Sequence, residues 1–254
     1  MKKIIFSLSI LAMSVLMSNA QSLVKDDFLS GYKAGDTLEK ASYTSTSGVD
    51  LIANQWNLTG KETDQNGSNP KLSKELTYKS YPQKDPAIAL SIDEGTRVSV
   101  YSLDKAYKTG TYYLAFLLNV SKAGKTAQDI LSFDANFTGS TPRGKLFVSS
   151  ENKELQFRIG MNGGRDEVGI TSDTYALGTT HLLVMKIELD SKKVSLFVDP
   201  KVSDKEPTPA ATYTNSEATN VLIKGIQLKQ RKSVQGSISG FRFSDNWKDA
   251  LGVK

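Results

Sequence analysis

Residues 112–120 read Tyr-Tyr-Leu-Ala-Phe-Leu-Leu-Asn-Val, so apolar side chains occupy nearly every position of this stretch. Successive side chains of a β-strand point to opposite faces of its sheet. A strand that is apolar at both parities must be covered on both faces, whereas a half-exposed strand alternates. Residues 112–120 therefore predict a central strand that is buried on both sides.

The segments around this stretch alternate between apolar and polar residues, which is typical of strands with one buried face. Turn residues separate them, and Asp190-Ser191-Lys192-Lys193 predicts a hairpin. Helix signals are confined to the end, where Asp245 is predicted as N-cap and Gly252 as stop. The chain is thus predicted to be all-β, a two-sheet antiparallel β-sandwich with a short C-terminal helical turn. The clearest alternating segments are 97–101, 131–137, 155–159, 183–189 and 194–198.

The first twenty residues have the three parts of a secretory signal. Lys2 and Lys3 are followed by an apolar stretch over residues 4–17 and then by the small residues of Ser18-Asn19-Ala20. We predict a signal peptide over 1–20, cleaved before Gln21, and a single β-sandwich domain over 21–254. No cysteine is present to carry a lipid anchor. The mature chain is expected in the periplasm or outside the cell, without membrane insertion.

Composition excludes several kinds of site. With no cysteine and one histidine among 254 residues, the chain cannot form disulfides, Cys-ligated zinc sites or sites with several histidines. The net charge is +5, and it falls to +3 when Lys2 and Lys3 leave with the signal peptide. The remaining basic residues are scattered and form no stripe with interleaved aromatic residues. We therefore predict no nucleic-acid partner.

One polar segment has the spacing of a calcium loop. Oxygen-bearing residues stand at its positions 1, 3, 5 and 12, but Asn69 replaces the sharp-turn glycine and no helices flank the segment. A solvated polar loop is the preferred interpretation, with a calcium ion as the alternative, and no other cofactor is predicted. The candidate ligands are Asp64, Asn66, Ser68 and Glu75.

No catalytic motif is complete. Residues 139–145 have the spacing of a phosphate loop, but Leu146 stands where a hydroxyl should hold magnesium. Glu188 and Asp190 could begin the acid cluster of a retaining glucanase, but Lys193 occupies the third acidic position. His181 begins an apolar strand, so we interpret it as structural.

Strand parity selects a set of side chains that point away from the core. If their strands belong to one concave sheet, these residues form a polar groove with an aromatic platform, the candidate ligand-binding face. The alternative is an ordinary solvated sheet face. The residues are Tyr113, Asp134, Asn136, Gln156, Arg158, Lys186 and Glu188.

Several segments together resemble a family of secreted bacterial proteins with a concanavalin A-like, laminin G-like jelly roll. The resemblance covers most of residues 26–251 and implies two curved antiparallel sheets packed face to face. That superfamily includes lectins, glucanases, lyases and adhesive modules, so fold alone assigns no function. The segments that carry the resemblance are 27–32, 112–120, 175–184, 199–200 and 240–250.

The sequence favours an exported, non-catalytic binding module for a glycan, that is an oligo- or polysaccharide, or for a cell-surface partner. The first alternative is a polysaccharide-active enzyme, a hydrolase or a lyase. Tyr113, Arg158 and His181 are the residue types that a lyase would use as base and charge neutraliser. The second alternative is a structural protein of the envelope.

Overall fold

A computed structural model describes residues 22–39, 51–59, 68–136 and 141–254. The regular secondary structure of this part of the chain is almost entirely β, with one short helix, which confirms the predicted fold class. The predicted signal peptide lies outside the described residues. In chain order the elements are β1 (Val24–Lys25), β2 (Trp56–Thr59), β3 (Leu72–Ser73), β4 (Ala87–Ala89), β5 (Thr96–Tyr107), β6 (Thr111–Lys122), β7 (Gln128–Asp134), β8 (Pro142–Glu151), β9 (Glu154–Gly160), β10 (Gly169–Ile170), β11 (Tyr175–Ala176), β12 (Thr180–Glu188), β13 (Lys193–Val198), β14 (Ala211–Thr214), β15 (Ile223–Arg231), β16 (Gln235–Ser244) and α1 (Trp247–Ala250).

The strands form two antiparallel sheets. The first sheet has the order β14-β13-β12-β6-β16-β4-β3, with β1 paired to β16. The second sheet has the order β10-β9-β8-β7-β15-β5-β2, with β11 paired to β9. Neighbours in the first sheet come from distant parts of the chain, since β6 pairs with both β12 and β16.

The main core lies between the two sheets. Leu131 and Phe157 of the second sheet and Met185 of the first are at most 1% exposed. Burying an aliphatic or aromatic side chain of this size contributes about 1.5–3 kcal/mol relative to leaving it in water. The packing of these alternating side chains is therefore what holds the two sheets face to face.

Strand β6 is buried on both faces, as its sequence predicts. Leu114 and Phe116 belong to the core between the sheets. Ala115 and Leu117 point the other way and pack in a second apolar cluster with Trp247 of α1. Other members of this cluster come from the segment before β4 and from β12 and β13. The outer face of the first sheet is thus covered by the chain itself.

Two local details differ from the predictions. The N-cap of α1 is Asn246, one residue after the predicted Asp245, because its Oδ1 accepts the backbone N–H of Asp249 at 2.9 Å. Gly252 follows the last helical turn with φ +65°, as a helix stop requires. Residues 199–220, which contain three prolines and many Thr and Ser residues, are expected from the sequence to form a loop, but they contain strand β14, which pairs with β13. Among the described residues, no helix has the length and apolar character needed to cross a bilayer.

Candidate functional site

The seven residues predicted to share a groove lie on two different sheets. Tyr113, Lys186 and Glu188 belong to β6 and β12 of the first sheet. The other four belong to, or directly follow, strands of the second sheet. The prediction of one shared face is wrong, because period-two alternation indicates which side chains point outward but not which strands pair. Those on the second sheet are Asp134, Asn136, Gln156 and Arg158.

The outward side chains of the first sheet are engaged by the chain itself. Tyr113 donates its hydroxyl to Oε2 of Glu206 at 2.7 Å, and Lys186 donates to Oε1 of the same carboxylate at 3.0 Å. The Lys186 ammonium also lies 5.5 Å from the centre of the Tyr113 ring. Burial, and then the Glu206 carboxylate, raises the pKa of Tyr113 well above its ordinary value. The segment between β13 and β14 therefore occupies this side.

Asp134 closes the end of β7 and is fully buried. Its Oδ1 accepts the backbone N–H of Asn136 at 2.9 Å, and its Oδ2 accepts Nε2 of Gln227 at 3.1 Å. Burial raises the pKa of Asp134 to about 6, although hydrogen bonds to the carboxylate oppose this effect. Asn136 donates to the Thr141 hydroxyl at 2.6 Å. Both residues thus hold the connection from β7 to β8 together, as Asx-type turns do.

Gln156 and Arg158 lie on the outer face of the second sheet, opposite the core residues Leu155 and Phe157. Ser149 of β8 is the register partner of Gln156. Together with neighbouring residues they line a cavity of about 240 Å³, which we call the hairpin groove because it lies beside the β8–β9 turn. Its lining residues are Lys125, Ser149, Ser150, Glu151, Asn152, Glu154, Gln156, Arg158 and Thr174.

A second cavity, of about 730 Å³, continues the hairpin groove around the end of β9. The two cavities share Asn152, Glu154 and Thr174, and the second adds Tyr175 and Leu177. Thr174 donates its hydroxyl to Glu154 at 2.8 Å. The sequence predictions missed Thr174 and Tyr175, because β11 is two residues long and gives no periodic signal. Its pairing with β9 is what brings them to the groove.

Arg158 retains most of its hydrogen-bonding capacity. Its guanidinium donates from Nη1 to the carbonyl of Arg165 at 3.4 Å, and its Nε has no acceptor among the described residues. A guanidinium carries five N–H donors and no acceptor. The Nε of Arg158 is buried, so hydrogen bonds from Arg158 to oxygen atoms of a ligand in the hairpin groove come from the terminal nitrogens of the guanidinium.

His181 lies at the N-terminal end of β12, and each of its ring nitrogens is within hydrogen-bond distance of a partner. Its Nδ1 lies 2.7 Å from Oδ2 of Asp199, and its Nε2 lies 3.1 Å from the carbonyl of Ala176. Tyr113 lies against Glu206 on the first sheet, and Arg158 is on the second sheet. The three residue types weighed for a lyase are therefore not brought together.

The calcium-loop candidates are only partly described. Asp64 and Asn66 lie outside the described residues, while Ser68 and Glu75 are exposed. Within the described ranges, no group of three or more His, Asp or Glu side chains is placed to hold a metal ion. Calcium binding by this segment stays a prediction.

Comparisons with known proteins give likeness of fold alone. No family model and no curated protein matches the chain. Among solved structures, a sialidase is 11% identical with a TM-score of 0.48, and the match covers 77% of this chain. The chain spans only 17% of the length of that sialidase.

Two further solved structures are lectin-type β-sandwiches. The carbohydrate recognition domain of Emp47p is 12% identical with a TM-score of 0.43, and the match covers 80% of this chain and 100% of that domain. The exoplasmic/lumenal domain of VIP36 in its Ca²⁺/Man3GlcNAc-bound form is 12% identical with a TM-score of 0.42, covering 73% and 86%.

Proposed function

We propose that this protein is a saccharide-binding module and that the hairpin groove is its binding site. The observation that carries the proposal is the difference between the two outer sheet faces. The first sheet is covered by Trp247 and the other members of its apolar cluster. The second sheet presents polar side chains of β8 and β9 that line an open groove.

The groove offers the chemistry that sugar hydroxyls need. A hydroxyl group both donates and accepts hydrogen bonds, so a site for it combines both kinds of partner. Ser149 and Gln156 supply both, Arg158 supplies donors, and Glu154 supplies acceptor oxygens. Binding sites of this kind hold a few convergent polar groups within a concave surface. The arrangement suits a sugar ring better than an apolar ligand.

Tyr175 lines the second cavity rather than the hairpin groove, and it lies on the core side of the sheet because its register partner is Leu155. Its ring is half-buried and packs 5.2 Å from Phe157 and 5.6 Å from His181, measured between ring centres. A ring fixed in this way loses little conformational freedom when a ligand binds. Stacking against an aromatic ring adds about 0.5–1.5 kcal/mol beyond burial. Tyr175 can therefore contact the less polar face of a sugar where the ligand extends around the end of β9 into the second cavity.

Both glutamates of the hairpin groove already interact with other side chains of the protein, which favours ligand binding over catalysis. Glu151 forms an ion pair with Lys125 at 2.9 Å, and Glu154 accepts the Thr174 hydroxyl. The predicted export signal would place the protein where polysaccharides occur outside the cytoplasm. The alternative ligand is a protein on a cell surface, and the following experiment distinguishes it from a saccharide.

Binding of the mature chain to an array of immobilised oligosaccharides tests the proposal. Ligands found on the array are then titrated by calorimetry against the wild type and Gln156→Ala. We expect an affinity loss of about 3- to 10-fold for Gln156→Ala, the size of one or two neutral hydrogen bonds. The matched control is Gln235→Ala, an exposed residue of β16 on the other sheet, which should leave affinity unchanged.

Two results would contradict the proposal. One is the absence of binding to any saccharide on the array by a chain that is folded by circular dichroism. The other is binding that neither Gln156→Ala nor Thr174→Ala weakens, because both side chains line the hairpin groove.

A further inference from the structure

A further depression, lined by more cationic than anionic side chains, lies on the same outer face as the hairpin groove. It has a volume of about 420 Å³, and we call it the cationic depression. Phe147 lines it and is the register partner of Arg158, which lines the groove. The two sites are therefore adjacent across strands β8 and β9. The charged residues that line the depression are Lys145, Arg165, Lys229, Arg231, Asp129 and Asp166.

Two of these cationic residues form ion pairs with Asp129. Lys229 lies 3.2 Å from Oδ2 of Asp129, and Arg231 contacts Oδ1. Burial raises the pKa of Asp129, but the two cations outweigh burial and hold the pKa below its ordinary value. The Asp129 carboxylate is thus already shared between Lys229 and Arg231, and it only partly offsets the charge of Lys145.

Lys145 and Arg165 have no such partner. Neither forms an ion pair with a carboxylate of the described residues. Lys145 donates a hydrogen bond to the backbone carbonyl of Gly163 at 2.9 Å. This carbonyl is neutral and does not balance the charge of the ammonium group. Burial lowers the pKa of Lys145, and although the Asp129 carboxylate opposes this effect, Lys229 and Arg143 add to it. The charge of Lys145 is partly desolvated and only partly compensated, so an anionic group that enters the depression would reduce the cost of burying it.

We propose that the saccharide bound in the hairpin groove is acidic, and that Lys145 and Arg165 bind its carboxylate or sulfate groups. This inference rests on the proposed function of the groove. A saccharide that runs from Arg158 across β8 toward β15 places its acidic substituents over the cationic depression. Charge-assisted hydrogen bonds to such groups are about twice as strong as neutral ones.

The depression fits an acidic saccharide better than a nucleic acid. Proteins that bind single strands offer exposed aromatic rings on which bases stack. The aromatic residue that lines the depression is Phe147, which is 5% exposed. A site with cationic side chains but no accessible aromatic ring suits an anionic polymer that is recognised by its charges and not by base stacking.

The test compares an acidic oligosaccharide with its neutral counterpart, obtained by desulfation or by carboxyl reduction. Calorimetric titrations use the mature chain, Lys145→Met and Arg165→Gln. We expect the wild type to prefer the acidic form by at least about tenfold and each variant to lose most of that preference. The exposed Lys79→Met, on the side of the first sheet, is the matched control and should keep the preference. Higher ionic strength should weaken only the acidic complex.

Each contrary outcome has a distinct meaning. Equal affinity for acidic and neutral forms overturns the inference but leaves the saccharide groove standing. No affinity for either form overturns the proposed function. A single-stranded oligonucleotide that binds as tightly as the acidic saccharide, and that loses affinity with Arg165→Gln, overturns the assignment of the depression to saccharides. Arg165 is exposed, so its replacement does not disturb folding.

Discussion

The carboxylate of Asp199 lies 2.7 Å from Nδ1 of His181, while the other ring nitrogen lies 3.1 Å from the carbonyl of Ala176. Both partners are acceptors, so each ring nitrogen must carry a hydrogen for both bonds to form. The arrangement therefore requires the imidazolium. It ties the end of the β12–β13 hairpin to β11, which forms one side of the proposed saccharide site.

Stability should therefore decrease at alkaline pH through His181. Burial lowers the pKa of His181, but its bonds to Asp199 and Ala176 outweigh burial and raise the pKa above its ordinary value of 6.5. The stabilisation is complete below pH 6.5 and is lost as pH rises through the folded-state pKa. We expect His181→Gln to lower the thermal midpoint most near about pH 5.5 and least near about pH 9.

Asp199→Asn is the control for this effect, because it keeps a hydrogen-bond acceptor but removes the charge. It should reduce the pH dependence attributed to His181 without abolishing the bond to Ala176. A difference between the wild type and His181→Gln that stays constant from about pH 5 to about pH 9 would show that the imidazolium is not required.

Asp134 should contribute a second pH dependence at lower pH. Its pKa is raised from 3.8 to about 6 in the folded state, so folding favours the protonated acid. Stability then falls as pH rises from about 4 to about 6 and is constant above that range. Asp134→Asn keeps an acceptor for the Asn136 amide and removes the charge. We expect it to raise stability above pH 6 by up to about 3 kcal/mol. Urea unfolding at several pH values measures this change, and an unchanged pH slope would contradict it.

Replacing one member of the buried ion pair of Arg97 and Glu39 should cost more stability than replacing both. The two residues are 9% and 5% exposed, and Arg97 Nε donates to Glu39 at 3.1 Å. Ser99 donates to the same carboxylate at 2.7 Å. Arg97→Met leaves a buried carboxylate without its cation and should cost about 3–5 kcal/mol in urea unfolding. Adding Glu39→Leu should recover part of this loss. Equal instability of the single and double variants would refute the coupling.

Gln230 should be a site where an apolar residue stabilises the protein. Its side chain is 0% exposed, and neither amide atom has a hydrogen-bond partner among the described residues. A buried polar group without a partner costs about 1–3 kcal/mol. Gln230→Met, of similar shape, should therefore raise the free energy of unfolding by about 1–2 kcal/mol. The control is Gln227→Met, which removes the bond to Asp134 and should destabilise. A loss of stability in Gln230→Met would contradict the prediction.

Local patterns in the sequence predict the two-faced burial of β6 and the all-β class. Side-chain parity follows from backbone geometry, so alternation indicates the exposed and buried faces of each strand. Pairing depends instead on contacts between distant segments. Strand β6 contacts β12 and β16, which follow far along the chain. That is why Tyr113 and Arg158 have the same parity but lie on different sheets.

The candidate site was predictable only in part for the same reason. Gln156 and Arg158 have the right parity on a regular strand, and both line the hairpin groove. Thr174 and Tyr175 belong to a segment whose strand β11 is too short for any period. Glu206 comes from a connection, and nothing in its local sequence indicates its bonds to Tyr113 and Lys186.

The pairing of β6 with two later strands has a consequence for biosynthesis. When the ribosome has made residues 111–122, both hydrogen-bonding edges of this apolar segment lack partners until β12 and β16 are synthesised. The apolar cluster that covers the segment is also incomplete until Trp247, which lies beyond β16, has been synthesised. Unpaired apolar strands aggregate readily, and such long-range pairings form slowly. We therefore expect the nascent polypeptide to be prone to aggregation until β12 and β16 have been synthesised.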